Sequence, residues 1–90
     1  MISKRLELVA SFVPKGAVLL DVGSDPAYLP IELVERGQIE AAIAGEVVVG
    51  PYQSAVKNVE AHGLGEKIQV RLANGLAAFE EADQVSVITI

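Results

Sequence analysis

The hydrophobic positions of this 90-residue chain form short continuous runs that alternate with longer segments of helical periodicity. The first two runs are so continuously apolar that they predict strands buried on both faces of a parallel sheet, and each ends on an acid. The third run alternates and the fourth is rich in β-branched residues, which predicts two further strands. The predicted strands are Ala17–Val22, Ala41–Glu46, Ile68–Ala73 and Val85–Ile90.

Helices are predicted before the first strand and between the strands. Ser3 can cap the first of them, and Pro14-Lys15-Gly16 breaks it. Gly37 and Gly63 are placed to end the second and third. The predicted helices are Ser3–Val13, one that begins between Ala27 and Pro30 and ends at Arg36, one from Pro51 at its first position to about His62, and a short one over Leu76–Glu81.

Strands that alternate with helices predict right-handed crossovers and a parallel sheet. The chain is long enough for one small domain, so we expect residues 1–90 to form a single Rossmann-like α/β half domain in three layers. The doubly wound arrangement gives four strands in the order 3-2-1-4, with helices on both faces.

The fourth predicted strand ends the chain, and in this arrangement it would lie at the edge of the sheet. An apolar edge exposes unpaired N–H and C=O groups, which favours pairing with another chain. We therefore expect either a truncated domain or a homodimer, joined through Val85–Ile90 or by exchange of elements.

Composition agrees with this fold and excludes several kinds of site. The chain is 51% hydrophobic but only 4% aromatic, as expected for a sheet covered by helices, and its net charge of −5 makes it a poor nucleic-acid binder by itself. Without cysteine, and with His62 as its single histidine at a predicted helix C-terminus, it has no thiolate or His-cluster metal site. We see no membrane-spanning run and no signal peptide, so a cytoplasmic location is the default expectation.

A loop with one glycine and two acids follows the first predicted strand, at Asp21, Gly23, Ser24 and Asp25. Nucleotide ligands bind beyond the carboxyl ends of parallel strands, and Gly23 lets the backbone turn sharply and approach one closely. Asp25 stands where a dinucleotide-binding loop has glycine, and its carboxylate would repel a pyrophosphate. Acids instead stabilise the ammonium and sulfonium groups of S-adenosylmethionine (SAM), so the loop favours SAM over NAD. The alternative is that the aspartates are only a strand-end acid and a helix cap.

Glu46 ends the second predicted strand. A carboxylate at this place can accept hydrogen bonds from both ribose hydroxyls, as the acidic residue of the Rossmann fingerprint does. The alternative is a solvated loop acid. The loop and the spaced acid together are more specific than either alone.

Two weaker candidates lie near the same predicted edge. The side-chain amide of Asn74, followed by Gly75, could reach the edge of an adenine, although an Asn-Gly pair more often marks a simple turn. Tyr28 could pack on the ligand or shield it, or it could be a core tyrosine whose hydroxyl has a partner.

Four segments together resemble the bacterial tRNA (adenine-N1)-methyltransferase family, which modifies an adenine in the D-arm region of tRNA. The resemblance covers essentially the whole chain, and the string around Asp25 is more specific to the family than a generic glycine loop. The segments are Leu20–Pro30, Ala44–Val47, Asn58–Val59 and Arg71–Leu76.

The resemblance implies a SAM-dependent fold and a role for each candidate residue. Asp21, Gly23 and Asp25 in the loop would hold the methyl donor. Glu46 would bind its ribose, and Asn74 and Gly75 would contact its adenine. Tyr28 matches a family tyrosine close to the methyl-transfer site.

The chain departs from the family pattern in two ways. Pro26 stands where the family typically has histidine, and proline removes an N–H, excludes proton handling and stiffens the loop. The family's next glycine-rich loop, its remaining strands and the helical part that grips tRNA would follow Ile90. Val49, apolar in a predicted exposed turn, also looks out of place. These features suggest the hypothesis of a deliberately cut and redesigned half domain.

Three functions fit these observations. The chain is the SAM-binding N-terminal half of a tRNA methyltransferase, an engineered or minimal half-Rossmann scaffold without catalysis, or a binding module with weak affinity for SAM or a nucleoside. Methyl transfer depends on holding donor and acceptor in line, and half a cleft cannot hold both. We therefore expect the chain to be inactive by itself.

Overall fold

The computed structural model describes residues 3–22, 27–72 and 85–89. Three helices and four strands lie in this part of the chain, and none of these helices is long and apolar enough to cross a membrane. In chain order they are α1 (Lys4–Ser11), β1 (Val18–Val22), α2 (Tyr28–Glu35), β2 (Ala41–Glu46), α3 (Val49–Ala61), β3 (Ile68–Leu72) and β4 (Val87–Thr89).

The four strands form one parallel sheet in the order β3-β2-β1-β4. Leu20 of β1 lies opposite Ile43 of β2 and Ile88 of β4, so β1 is hydrogen-bonded on both sides. This confirms the predicted Rossmann-like topology and strand order. The predicted helix over Leu76–Glu81 lies outside the described residues.

The core is divided between the two faces of the sheet because side chains alternate along each strand. The larger cluster contains buried residues of α1, α2 and α3 together with Leu19 of β1. The smaller cluster, on the opposite face, is built on Leu20 and Ile43. Leu19 and Leu20 are both 0% exposed, as expected of a central strand covered on both faces.

The predicted start of α3 is wrong by two residues. The helix begins at Val49, so Pro51 is its third residue rather than its first. Proline at the third position costs no hydrogen bond, because the first four N–H groups of a helix have no intrahelical partner. Val49, which looked out of place in a turn, belongs to this first turn.

The glycines that end α2 and α3 were predicted correctly. Gly37 has φ +73° and Gly63 has φ +68°, the left-handed conformation that side chains disfavour. A Cβ at either position would meet no atom within 4 Å. Backbone conformation, and not crowding, therefore requires glycine here.

α1 begins as predicted and ends two residues early. The Ser3 hydroxyl accepts a hydrogen bond from the Leu6 N–H at 3.2 Å, which confirms the predicted cap. The helix ends at Ser11, and Val13 is buried just beyond it.

Gln38 ties the end of α1 to the loop before β2. Its side-chain Nε2 donates to the carbonyl of Ala10 at 3.1 Å and to that of Val13 at 2.7 Å. The Ala10 carbonyl also accepts from the Val13 N–H at 3.1 Å, so the amide adds a second donor there and gives the Val13 carbonyl, just beyond the helix, a partner. The Gln38 carbonyl also accepts from the Gly16 N–H at 2.7 Å.

Arg36 makes a second, weaker link between α1 and α2. Its guanidinium donates to the carboxylate of Glu7 and, at 2.9 Å, to that of Glu32. These two carboxylates, Glu7 foremost, raise the pKa of Arg36. Because the arginine is exposed, solvent screens both pairs, and we expect Gln38 to matter more for the position of α1.

We therefore expect Gln38→Ala to lower the free energy of unfolding by about 1–2 kcal/mol, since the carbonyls of Ala10 and Val13 each lose a hydrogen bond. Urea unfolding followed by circular dichroism measures this. Gln53→Ala on the exposed side of α3 is the matched control and should change stability by less than about 0.5 kcal/mol. Equal effects of the two substitutions would contradict the anchoring role of Gln38.

Candidate functional site

The carboxyl ends of β1 and β2 bring two acids to one rim of the sheet. Asp21 of β1 lies opposite Ala44 of β2, and Glu46 follows two residues later, about 7 Å further along the strand. Because side chains alternate along a strand, both acids lie on the face that carries Leu19 and Ala44. The described helices cover this face. The structure thus brings together the two acids that the sequence analysis selected, on neighbouring strands.

Glu46 is buried. It is the last residue of β2 and is 3% exposed, so the alternative of a solvated loop acid is wrong. A buried carboxylate is costly unless hydrogen bonds or charges compensate it. Glu46 has such an interaction, and no buried side-chain oxygen or nitrogen in the described part of the chain lacks a partner. The burial of Glu46 at the rim is therefore compensated.

Asp21 is half-buried and is held from the neighbouring strand. Its Oδ1 accepts a hydrogen bond from the Thr89 hydroxyl at 2.7 Å, and Thr89 is its direct register partner in β4. The sequence analysis missed this contact. The signal was available, because the predicted strand order already placed the hydroxyl-bearing fourth strand beside the first.

A left-handed residue precedes α2 at this rim. Ala27 has φ +63° and is fully buried, a conformation that costs a residue with a Cβ about 1–2 kcal/mol. Such backbone strain clusters at ligand sites, where the surrounding structure maintains it. Ala27 is also the N-cap residue of α2, and no side chain caps this helix.

Tyr28 lies on the surface beside the strained turn. It is the first residue of α2 and is 49% exposed. The alternative of a core tyrosine is therefore wrong. Its ring is accessible to a ligand at the rim.

Exposed apolar side chains extend the rim past the acids. Three consecutive valines follow Glu46 and are each more than half exposed, and a leucine ends β3 with 46% exposure. Exposed apolar surface beside buried acids suits a ligand with both a flat apolar ring and polar or cationic groups. These residues are Val47, Val48, Val49 and Leu72.

The structure does not describe the remaining sequence candidates. Gly23, Ser24, Asp25, Asn74 and Gly75 lie outside the described residues.

His62 is the C-cap residue of α3, as expected for a histidine at a helix C-terminus. Its Nδ1 lies 2.8 Å from Glu35 Oε2, a link between α3 and α2 that the sequence analysis missed. Within the described ranges, no group of three or more histidine, aspartate or glutamate side chains could hold a metal ion.

Comparison with known proteins identifies the family. The family model for tRNA (adenine(22)-N(1))-methyltransferase, TrmK, matches residues 19–90. The chain belongs to the TrmK family. The match begins at Leu19, the second residue of β1, and includes β2, β3 and β4, whereas α1 precedes it.

Three relatives show the extent of the similarity. The tRNA (adenine(22)-N(1))-methyltransferase of Bacillus subtilis is 46% identical over 88 residues, which are 96% of this chain and 37% of the relative. A Streptococcus pneumoniae structure in complex with S-adenosyl-L-methionine is 90% identical, with a TM-score of 0.94 over 98% of this chain and 41% of its own. The M. capricolum TrmK structure with S-adenosyl-homocysteine is 38% identical, with a TM-score of 0.82 over 90% of this chain and 37% of its own.

These coverages locate the chain within TrmK proteins. It spans about 40% of the length of the relatives that it matches, and it is homologous to their N-terminal part. Two of the relatives were solved with the methyl donor or its product, so SAM and its demethylated form are ligands of family members.

The surface position of Tyr28 predicts a small effect on stability. We expect Tyr28→Ala to lower the free energy of unfolding by less than about 1 kcal/mol, because half of the side chain is already in water. Leu33→Ala in the same helix removes a side chain that is 0% exposed and should cost about 2–5 kcal/mol. Similar losses in urea unfolding would mean that Tyr28 belongs to the core.

Proposed function

We propose that this chain is the SAM-binding part of a tRNA (adenine-N1)-methyltransferase of the TrmK family. The observation that carries the proposal is the pair of acids, the buried Glu46 and the half-buried Asp21, at one rim of a parallel sheet. Two TrmK-family relatives with bound SAM or S-adenosyl-homocysteine support it.

Glu46 is suited to bind the ribose. Its carboxylate can accept hydrogen bonds from two neighbouring hydroxyls, and burial strengthens such bonds because water does not compete for them. The position at the end of β2 is the one from which the acidic residue of Rossmann folds contacts a ribose.

Asp21 is suited to the cationic end of the cofactor. An ionised carboxylate near the loop attracts the ammonium group of SAM, and partial burial reduces the screening of that attraction. Gly23, Ser24 and Asp25 complete this part of the proposed site, with Gly23 allowing a close backbone approach.

The apolar rim provides a surface for the adenine ring. We assign this contact to the exposed residues Val47–Val49, and the edge of the adenine to Asn74 and Gly75. Tyr28 would cover the methyl-transfer side from the start of α2. SAM, when bound, supplies the methyl group, and the contribution of these residues is to bind and orient it.

Catalysis requires more than this surface. Methyl transfer depends on holding the acceptor nitrogen in line with the donor, and a tRNA needs a basic surface. The chain carries a net charge of −5 and spans about 40% of the length of its relatives. We therefore propose that it binds the donor but does not methylate tRNA by itself.

A cytoplasmic location is part of the proposed function.

A second candidate function is a minimal half-Rossmann scaffold without catalysis. The observation that favours it is the sheet edge, since β1 is the only strand that pairs with β4 in the described part of the sheet. A homodimer through Val85–Ile90 stays a prediction, which sedimentation at high concentration would check. An engineered origin stays a hypothesis.

We expect Glu46→Gln to weaken SAM binding by about 10- to 100-fold, the effect of removing a charged acceptor from hydrogen bonds to a ligand. Isothermal titration calorimetry measures the affinity. The control Glu40→Gln changes an exposed glutamate just before β2, at the opposite end of the same strand, and should bind as the unchanged chain does. Equal affinity of all three proteins would remove Glu46 from the site.

We expect no methylation of unmodified tRNA by this chain above the level of a Glu46→Ala variant. Transfer of the radiolabelled methyl group of SAM to tRNA measures this. A signal that depends on Glu46 would show that the chain catalyses methyl transfer. It would refute the proposal that the chain binds SAM without methylating tRNA.

A further inference from the structure

β4 is attached to β1 through side-chain hydroxyls at both ends. At the start of the strand, the Ser86 N–H donates to the Val18 carbonyl and the Ser86 hydroxyl accepts from the Val18 N–H, both at 2.9 Å. At the end, the Thr89 hydroxyl donates to Asp21 Oδ1 at 2.7 Å. Only the second contact reaches a residue of the proposed cofactor site.

The Thr89–Asp21 contact is well suited to fix a carboxylate. The two residues are direct register partners, so their side chains leave the sheet on the same face. Threonine is β-branched and has few rotamers, which limits the positions of its hydroxyl. A separation of 2.7 Å is a well-formed O–H···O hydrogen bond.

We propose that Thr89 is a positioning residue for the cofactor, acting through Asp21. By engaging Oδ1, it holds the carboxylate in one orientation before the ligand arrives, and so reduces the entropy lost on binding. A carboxylate has about four acceptor sites on its two oxygens, so it can accept from several donors at once. This inference rests on the proposed function and adds a residue to it.

A purely structural role for Thr89 makes the opposite prediction for two conservative variants. Thr89→Val keeps the shape and the strand preference but removes the hydroxyl. Thr89→Ser keeps the hydroxyl but removes the methyl group. Positioning by a hydrogen bond requires Thr89→Val to bind SAM poorly and Thr89→Ser to bind it well, whereas packing requires the reverse.

The test is the SAM affinity of the whole chain, measured by calorimetry. We expect Thr89→Val to bind about tenfold more weakly and Thr89→Ser to stay within about twofold of the unchanged chain. In an Asp21→Asn background, adding Thr89→Val should weaken binding by less than about twofold, because the two residues act as one unit. The matched control Ser86→Ala removes the other hydroxyl of this strand region and should leave the affinity within about twofold.

A measurement without ligand separates this inference from the proposed function. The carboxyl ¹³C resonance of Asp21 should shift in Thr89→Val and stay in place in Thr89→Ser. If the thermal unfolding of Thr89→Val shows that it is unfolded, Thr89→Ala replaces it, since alanine and serine differ only in the hydroxyl.

The outcomes are distinct. If the unchanged chain does not bind SAM at millimolar concentration, the proposed function fails, and the ¹³C shift of Asp21 in Thr89→Val then decides by itself whether Thr89 holds this carboxylate. If the unchanged chain and Thr89→Val bind equally, only the role of Thr89 is overturned. If Thr89→Ser is as weak as Thr89→Val, the hydroxyl does not account for the effect and the inference is also overturned.

Discussion

The structure depends on the parallel pairing of β1 with β2. Parallel strands end at the same edge of a sheet, so this one pairing decides that Asp21 and Glu46 share a rim. A shift of the register by one residue would move Glu46 to the other face and separate the two acids. Such a shift would also exchange the closely packed side chains of the two faces, on which Leu19 and Leu20 are fully buried.

The elements around this pair contribute in different ways. α2 and α3 cover the face from which both acids project, and β4 supplies the hydroxyl that engages Asp21. α1 precedes the residues that match the TrmK family and is attached mainly through its buried Ala10 and through Gln38. The rim is thus built by the part of the chain that defines the family, and α1 supports it from outside the site.

Patterns with a simple physical cause were predictable from the sequence. Strand order followed from alternating strands and helices, and Gly37 and Gly63 marked helix ends because both need positive φ. Side-chain hydrogen bonds to distant parts of the chain were not predictable, since those of the Gln38 amide and the Thr89 hydroxyl depend on how the elements pack. The start of α3 was missed because proline is accepted throughout a first turn. For Glu46 the sequence left burial open, and the fold decided it.

The most direct test of the account is a titration of the chain with SAM, followed through its backbone amide resonances. We expect saturable shifts at Asp21, Tyr28 and Glu46, near the carboxyl ends of the strands, and none at Glu40 and Lys67, which precede β2 and β3. Shifts confined to the amino ends of the strands, or no saturable shift at millimolar SAM, would contradict a cofactor site at this rim.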